Sequence, residues 1–433
     1  MFIGFFLFSF SFISYLLFFV NCQNVPYSRD DQMSALVGTR LYFFGGFSPI
    51  LNVTNEVWYL DLSNSSLFDT ATPTWYKDVG MPIGNFDGTA CVSTTNDSNV
   101  FIIGGRQTLP NTLSLAFNSS VYKFDPKNHS LWSIPNITNF NSSFNTRNEI
   151  QAAIDNKGRI FIFGGMSYFV NDSDNSPFIY YNDMNILDIT TMSWSTLVIS
   201  QAPSYSSYTA TLLTTGIIVY IGGRDNLSGQ RIPVNMSEIR TFDTTSLIWS
   251  TKPANGSSIG SRVGHSAVLN QNGDIIIYGG SELEYSKEFL EYSQSLPDLC
   301  VLNTNSWIWS IPNIPSTNIP HTLSYHSAAL YNNYMVVAFG VIASTGGLHN
   351  KNVYVLDIQK YTWVGINNTA ITSKGSSTSQ KAQTNKAQSP SNSSSSNGLF
   401  IGIGVVSGVV VVGIASFVGF LLYKRKHKSQ HKS

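Results

Sequence analysis

Charge is what this sequence has least of. Only 12% of its 433 residues are Asp, Glu, Lys or Arg, about half the share of an ordinary soluble protein. The few charges are also unevenly placed, with no Asp or Glu after Asp357. Eight of the 25 Lys and Arg lie beyond residue 367, which leaves 17 basic against 25 acidic side chains in 1–367, a net of −8. An acidic body excludes a nucleic-acid binder, because phosphate recognition needs a basic face. No phosphate-binding loop and no His-Glu-x-x-His occurs, so nothing points to a nucleotide or a zinc-hydrolase site. Cysteine is nearly absent too, with three residues. What the chain does have is 42% hydrophobic and 13% aromatic residues, which excludes disorder over its length.

Both ends carry long apolar runs. Residues 2–20 are almost wholly apolar, and Val20 and Cys22 are small enough for the −3 and −1 positions of a cleavage site. A signal peptide is expected over 1–22, although no Lys or Arg precedes the run. Residues 398–423 contain no charge and are followed at once by Lys424, Arg425, Lys426 and Lys428. As a helix this run would be roughly 39 Å long, enough to cross a membrane with tilt. Positive flanks stay in the cytoplasm. The expected topology is a single-pass type I plasma-membrane protein, with residues 23–367 outside and a ten-residue basic tail, 424–433, inside. Gly404 and Gly408 have the spacing of a helix-dimer motif, so a homodimer through that span is an expectation. Residues 368–397 hold no aromatic side chain and are rich in Ser and Thr, as a flexible stalk would be.

Thirteen Asn-x-Ser/Thr triplets fit an exported chain: Asn52, Asn64, Asn96, Asn118, Asn128, Asn136, Asn141, Asn171, Asn226, Asn235, Asn255, Asn367 and Asn392. They predict a glycosylated surface. Once the signal is removed only Cys91 and Cys300 remain, and both are expected as free thiols.

The body is repetitive. An apolar strand ending in Gly-Gly recurs at Gly45-Gly46, Gly104-Gly105, Gly164-Gly165, Gly222-Gly223 and Gly279-Gly280, with Gly340 alone in the sixth copy. A short strand ending in Asp61, Asp125, Asp188, Asp243, Asn303 or Asp357 follows each time, and then Trp75, Trp132, Trp194, Trp249, Trp309 or Trp363. A small apolar strand precedes each copy, giving four strands per unit. Such units at a long period predict a β-propeller. Its blades fall near 29–77, 85–134, 147–196, 204–251, 261–311 and 321–366. The Trp is placed to wedge between blades. How the ring closes is left open, because each unit has all four of its own strands.

This pattern resembles the kelch repeat over residues 29–366. The fold class expected is therefore all-β, a six-bladed kelch-type propeller of four-stranded blades, plus one C-terminal transmembrane helix. The resemblance extends to galactose-oxidase-like and attractin- or muskelin-like proteins. It raises a copper-radical oxidase as the alternative function, with Cys91, His265, Tyr325 and His326 as the pieces at hand. The Tyr that such a site needs at the start of blade 3 is replaced by Glu149 and Ile150. The preferred expectation is a non-catalytic cell-surface protein that binds an extracellular protein or glycan, with no metal and no cofactor. The candidate ligand-binding residues are Arg29, Arg106, Arg147, Arg224 and Arg262, in connections that share one face of the propeller; structural ion pairs are the competing role for each. Asp172, Asp174, Ser176 and Asp183 have part of a calcium-loop spacing, but Pro177 stands where that loop needs Gly.

Overall fold

The recurring Asp or Asn that ends each third strand is a turn-maker. Asp61, Asp125, Asp188, Asp243, Asn303 and Asp357 each accept the backbone N–H two residues on, at 2.7–3.2 Å. A short carboxylate or amide side chain can close such a turn on its own backbone. The chain then reverses into a fourth strand that holds the recurring Trp.

The computed structural model describes residues 25–364, except 64–67, 69–72, 96, 129, 145–146, 169–177, 199–202, 228–229, 283–297 and 346. Among the described residues, six antiparallel meanders follow one another. Their strands are Met33–Val37, Arg40–Phe44, Val57–Asp61 and Trp75–Asp78 in repeat 1, and Thr89–Val92, Val100–Ile103, Val121–Asp125 and Leu131–Ser133 in repeat 2. Repeat 3 has Ala152–Ile154, Arg159–Phe163, Met184–Asp188 and Ser193–Leu197; repeat 4 has Thr209–Leu212, Ile217–Ile221, Glu238–Asp243 and Ile248–Pro253. Repeat 5 has Ser266–Leu269, Asp274–Tyr278, Leu299–Asn303 and Ile308–Ser310; repeat 6 has Ser327–Tyr331, Tyr334–Ala338, Val353–Asp357 and Thr362–Val364. In repeat 5, Asn255–Gly256 adds a parallel fifth strand beside Ile308 and Trp309.

The second strands read as unbroken apolar runs because they are covered on both faces. Phe43, Ile102, Phe163, Ile221, Ile277 and Val337 are fully buried. Burial is organised by interfaces. Six hydrophobic clusters each draw on two neighbouring repeats, and one of them joins Phe43 of repeat 1 to Val336 and Phe339 of repeat 6. Each Trp lies in, or packs against, the cluster it shares with the preceding repeat. Trp132 and Trp309 also donate their indole N–H to carbonyls of that repeat, at Val79 and Met236. The wedge role expected from sequence is what the packing shows.

The Gly-Gly pairs are the lock between repeats. The N–H of the second glycine donates to a carbonyl four or five residues before the first strand of the next repeat: Gly46 to Asn85, Gly105 to Arg147, Gly165 to Tyr205, Gly223 to Arg262 and Gly280 to Leu323, each at 2.8 Å. The series closes with Gly340 to Arg29 at 2.8 Å. The first glycine is required by space. A Cβ on Gly45 or Gly279 would stand 2.2 Å from the next repeat's carbonyl oxygen.

Repeat 6 departs from the sequence register. Gly340, with φ 88°, matches the second glycines, and Phe339 takes the first position at φ 65°. Its ring packs on Phe43 and Trp75, 5.2 and 5.3 Å between centroids. The ends of the ring therefore meet through main-chain bonds and an aromatic cluster, with each repeat keeping its own four strands.

Among the described residues no helix is long and apolar enough to cross a membrane. The signal at 1–22, the stalk at 368–397, the span at 398–423 with Gly404 and Gly408, and the tail at 424–433 all lie outside the described residues.

Candidate functional site

Two residues before each first strand, or three in repeat 3, the backbone turns into the left-handed region: Asp31, Asp87, Glu149, Ser207, Gly264 and Tyr325, with φ between 51° and 64°. These six positions are linked to one another. Asp31 N–H donates to the Tyr325 carbonyl, Asp87 to Asp31, Glu149 to Asp87, Ser207 to Glu149, and Tyr325 to Gly264, at 2.7–3.1 Å. The first strands neighbour each other in the same cyclic order. The six residues thus form a collar at one end of the first strands, and all six are half-buried.

The collar is chemically lopsided. Repeats 1–3 supply three adjacent carboxyl groups, and repeats 4–6 supply a hydroxyl, a glycine and a phenol. The Tyr325 ring covers the glycine, since a Cβ on Gly264 would stand 2.9 Å from it. Ser206 and Ser207 both donate to Glu149 Oε2, at 3.0 and 2.5 Å. Asp31 and Asp87 share a side-chain hydrogen bond, which requires one of them to hold a proton. Burial, followed by the charges of Asp87 and Asp30, pushes Asp31 well above the usual carboxylate range. Burial and the Glu149 charge push Asp87 up to about 7. Carboxyls this close cannot all ionise without a cation among them. Among the described residues no His, Cys, Asp and Glu cluster has the arrangement of a metal site.

The arginines singled out from sequence are placed otherwise. Arg29, Arg147 and Arg262 are buried and bond within their own repeats. Arg29 donates to the carbonyls of Tyr27 and Gly45 and forms an ion pair with Glu56 at 2.8 Å. Arg262 repeats this geometry on the carbonyls of Gly260 and Gly279. Arg147 forms a two-point pair with Asp183, and its guanidinium stacks 3.7 Å from the Tyr181 ring centre. Asp183, the last residue of the calcium-like spacing, is committed to that pair; Asp172, Asp174 and Ser176 lie outside the described residues. Burial pushes Glu56 up, but bonds from Lys77, Trp58 and Arg29 outweigh it and hold its carboxyl low. Arg106 and Arg224 open the strands after Gly-Gly. Arg106 lies 5.8 Å from the Phe86 ring centre, beside the collar, and Arg224 pairs with Ser206.

The pieces of a copper-radical site are held apart. Cys91 sits in the core between repeats 2 and 3, and burial pushes its thiol up to about 12. His265 bonds Thr209 of repeat 4, and His326 bonds Ser266 of repeat 5. Burial holds His326 down to about 3 and His265 well below its ordinary value. Both are neutral packing residues against Gly222 and Gly279, the place that Ile150 fills against Gly104. This donor set does not fit a copper-radical centre. Cys91 and Cys300 are free and buried.

Of the described sequon asparagines, Asn118, Asn128, Asn136, Asn235 and Asn255 are exposed, and Asn52 and Asn141 are half-buried. Asn226 lies in Arg224–Leu227. Asn64, Asn96, Asn171, Asn367 and Asn392 lie outside the described residues.

Known proteins share this architecture. The KLHDC2/KLHL20/DRC7 Kelch-repeats domain family matches residues 36–258 and 207–387. Kelch domain-containing protein 3 of Bos taurus is 24% identical over 294 residues, covering 65% of this chain and 69% of that protein; the Homo sapiens protein of the same name matches to the same extent. Acyl-CoA-binding domain-containing protein 4 of Arabidopsis thaliana is 25% identical over 215 residues, 47% of this chain and 28% of that protein. The solved structure of YjhT superposes with a TM-score of 0.58 at 17% identity, covering 78% of this chain and 97% of YjhT, which speaks to the fold.

Proposed function

This chain belongs to the kelch-repeat family, and on that premise we propose that it is a non-catalytic six-bladed propeller that binds a cationic segment of a partner protein at its collar. The observation that carries this reading is the residue choice at the left-handed positions. The backbone there asks only for φ > 0, which glycine supplies without strain. Gly264 is that solution. Glu149 and Tyr325 are costly in the same conformation, by about 1–2 kcal/mol each, and bulky non-glycine residues held there are candidates for function. Three carboxyls placed against one another invite Lys, Arg or a free amino terminus in place of a shared proton. An acidic body, net −8 over 1–367, supports a cationic partner over an anionic glycan.

The apolar termini and exposed sequons support display outside the cell on a single span, with glycans at the asparagines named above. Surface biotinylation of intact cells and a glycosidase mobility shift check that part. The binding reading is tested with the full-length chain in detergent and a lysine-rich peptide as probe, by calorimetry at low and high salt. Binding weakened by salt and lost in Asp31→Asn/Asp87→Asn/Glu149→Gln is expected. Equal binding by that triple variant would overturn the reading.

A further inference from the structure

The second connection of repeat 2 turns an apolar stripe to solvent. Arg106–Thr108 pairs on one side with Gly84–Phe86, and Thr108 bridges Leu115 on the other. Ala116 N–H donates to the Gln107 carbonyl, and Asn118 N–H reaches Gln107 Oε1. The returning segment is therefore strand-like, and its side chains alternate. Ala116 packs inward on the cluster between repeats 1 and 2. Leu113, Leu115 and Phe117 point the other way and are 64%, 44% and 47% exposed. Leu109, near the tip, is 53% exposed. A one-sided surface segment normally places polar residues outward; this one is reversed.

The stripe has a direction. Phe117 lies opposite Arg106, whose guanidinium sits over Phe86 beside the collar residue Asp87. Leu115 lies opposite Thr108, and Leu113 lies towards the tip. From Phe117 to Leu113 the stripe runs about 13 Å outward from the acidic half of the collar. The neighbouring connection of repeat 1 braces it, with Asn111 N–H donating to the Val53 carbonyl at 2.8 Å and Val53 N–H to that of Thr112.

We propose that Leu113, Leu115 and Phe117 form a docking surface for an extended segment of a partner protein that carries apolar side chains followed by a Lys or Arg. The cation meets Asp87 and Asp31 while the apolar side chains cover the stripe. The proposal rests on the collar reading and adds the apolar half of the ligand. Charge complementarity selects this occupant. The stripe begins at Arg106, whose charge is met by Asp87, and Asp31 and Glu149 stand beyond it, so an apolar segment flanked by acid would be repelled where it reaches the collar.

The test uses the full-length chain in detergent and three synthetic peptides, read by fluorescence anisotropy. One carries alternating Leu and Ser followed by two Lys; the second has Glu for Lys; the third has Ser for every Leu. The first should bind at least tenfold more tightly than the other two. Leu115→Ser/Phe117→Ser, which changes only exposed side chains, should cost it at least tenfold while thermal unfolding stays unchanged. If Asp31→Asn/Asp87→Asn abolishes binding and Leu115→Ser/Phe117→Ser does not, the collar reading stands and the stripe proposal fails. If neither variant matters, both fail. If Leu115→Ser/Phe117→Ser instead converts a dimer to a monomer in sedimentation, a second copy covers the stripe and the proposal is overturned. An Asn118→Gln chain should bind as wild type; binding only in that variant would mean that a glycan occupies the surface.

Discussion

Repeats 1–3 and 4–6 have one backbone and two chemistries. Both halves lock through the second glycine, turn left-handed at the collar and close their third strands on an acid or amide. The collar nevertheless receives Asp, Asp and Glu from one half and Ser, Gly and Tyr from the other. The reason is that the ring is held by main-chain bonds, which any residue can make. Those bonds do not fix the side-chain type at the collar, so residue chemistry can vary there without disturbing closure.

The largest effect should come from breaking what the halves share. Gly45→Ala and Gly279→Ala each place a Cβ 2.2 Å from a neighbouring carbonyl at φ 62° and 69°. Each should lose at least about 3 kcal/mol in urea unfolding, from left-handed strain plus a displaced interface. A much smaller loss in one of them would show that the two halves are not equivalent at the lock.

Next comes an effect that should differ between the halves. Arg147→Met leaves Asp183 without its ion partner and should cost about 3 kcal/mol. Arg262→Met removes bonds to two carbonyls and should cost about 1–2 kcal/mol. Denaturant midpoints with unchanged slopes check the pair; equal losses would mean that the charges of Asp298 and Glu282 acting on Arg262 weigh as much as the direct Arg147–Asp183 pair.

The pH response should differ in sign between the halves. Buried His265 and His326, held low, add stability as pH rises to about 6.5, while the raised carboxyls of the acidic half lose it. Asp87 is raised in the fold to about 7, so its proton is bound more tightly there than in the unfolded chain. Its contribution is complete below the unfolded value of about 3.9 and is lost as pH rises through about 7. Measured as wild type minus Asp87→Asn, so that the histidines cancel, thermal stability should fall from about pH 4 to about 7 and level off above. Glu56, held low, contributes with the opposite sign and cancels in the same difference. An unchanged slope in Asp87→Asn would remove the shared proton from the account.

The smallest effect should come from making the acidic half resemble the other. Glu149→Gly relieves left-handed strain and carboxylate repulsion but gives up bonds from Ser206 and Ser207. Stability should hold or rise by up to about 1 kcal/mol, while lysine-peptide binding falls. A loss beyond about 1 kcal/mol would make Glu149 a structural residue.

Much of the scaffold was legible because its residues do local work. Gly-Gly, the strand-ending Asp and the Trp each serve one geometric need six times over, so they recur visibly. The register slipped only at Phe339-Gly340, where a phenylalanine adopts a conformation that sequence reserves for glycine and aromatic packing from Phe43 and Trp75 holds it there. The collar was missed for the same reason. Asp31, Glu149 and Tyr325 share a backbone angle and no side-chain property, so aligning the six segments shows a column without showing what it faces. The arginines were visible and pointed elsewhere: Arg29 and Arg147 stand near the functional face in sequence, but burial spends their charge on Glu56 and Asp183.

By itself the sequence determined the repeat, the four strands of each unit, the Trp wedges and the free state of Cys91 and Cys300. Those follow from periodicity and from placement within a unit, which are local. Only the tertiary structure decided how residue 29 meets residue 340, which six residues ring the axis, and that carboxyls 118 positions apart, Asp31 and Glu149, stand in one collar. Closure brings together residues that no local rule relates, and the charge shared among them exists only once the ring is shut.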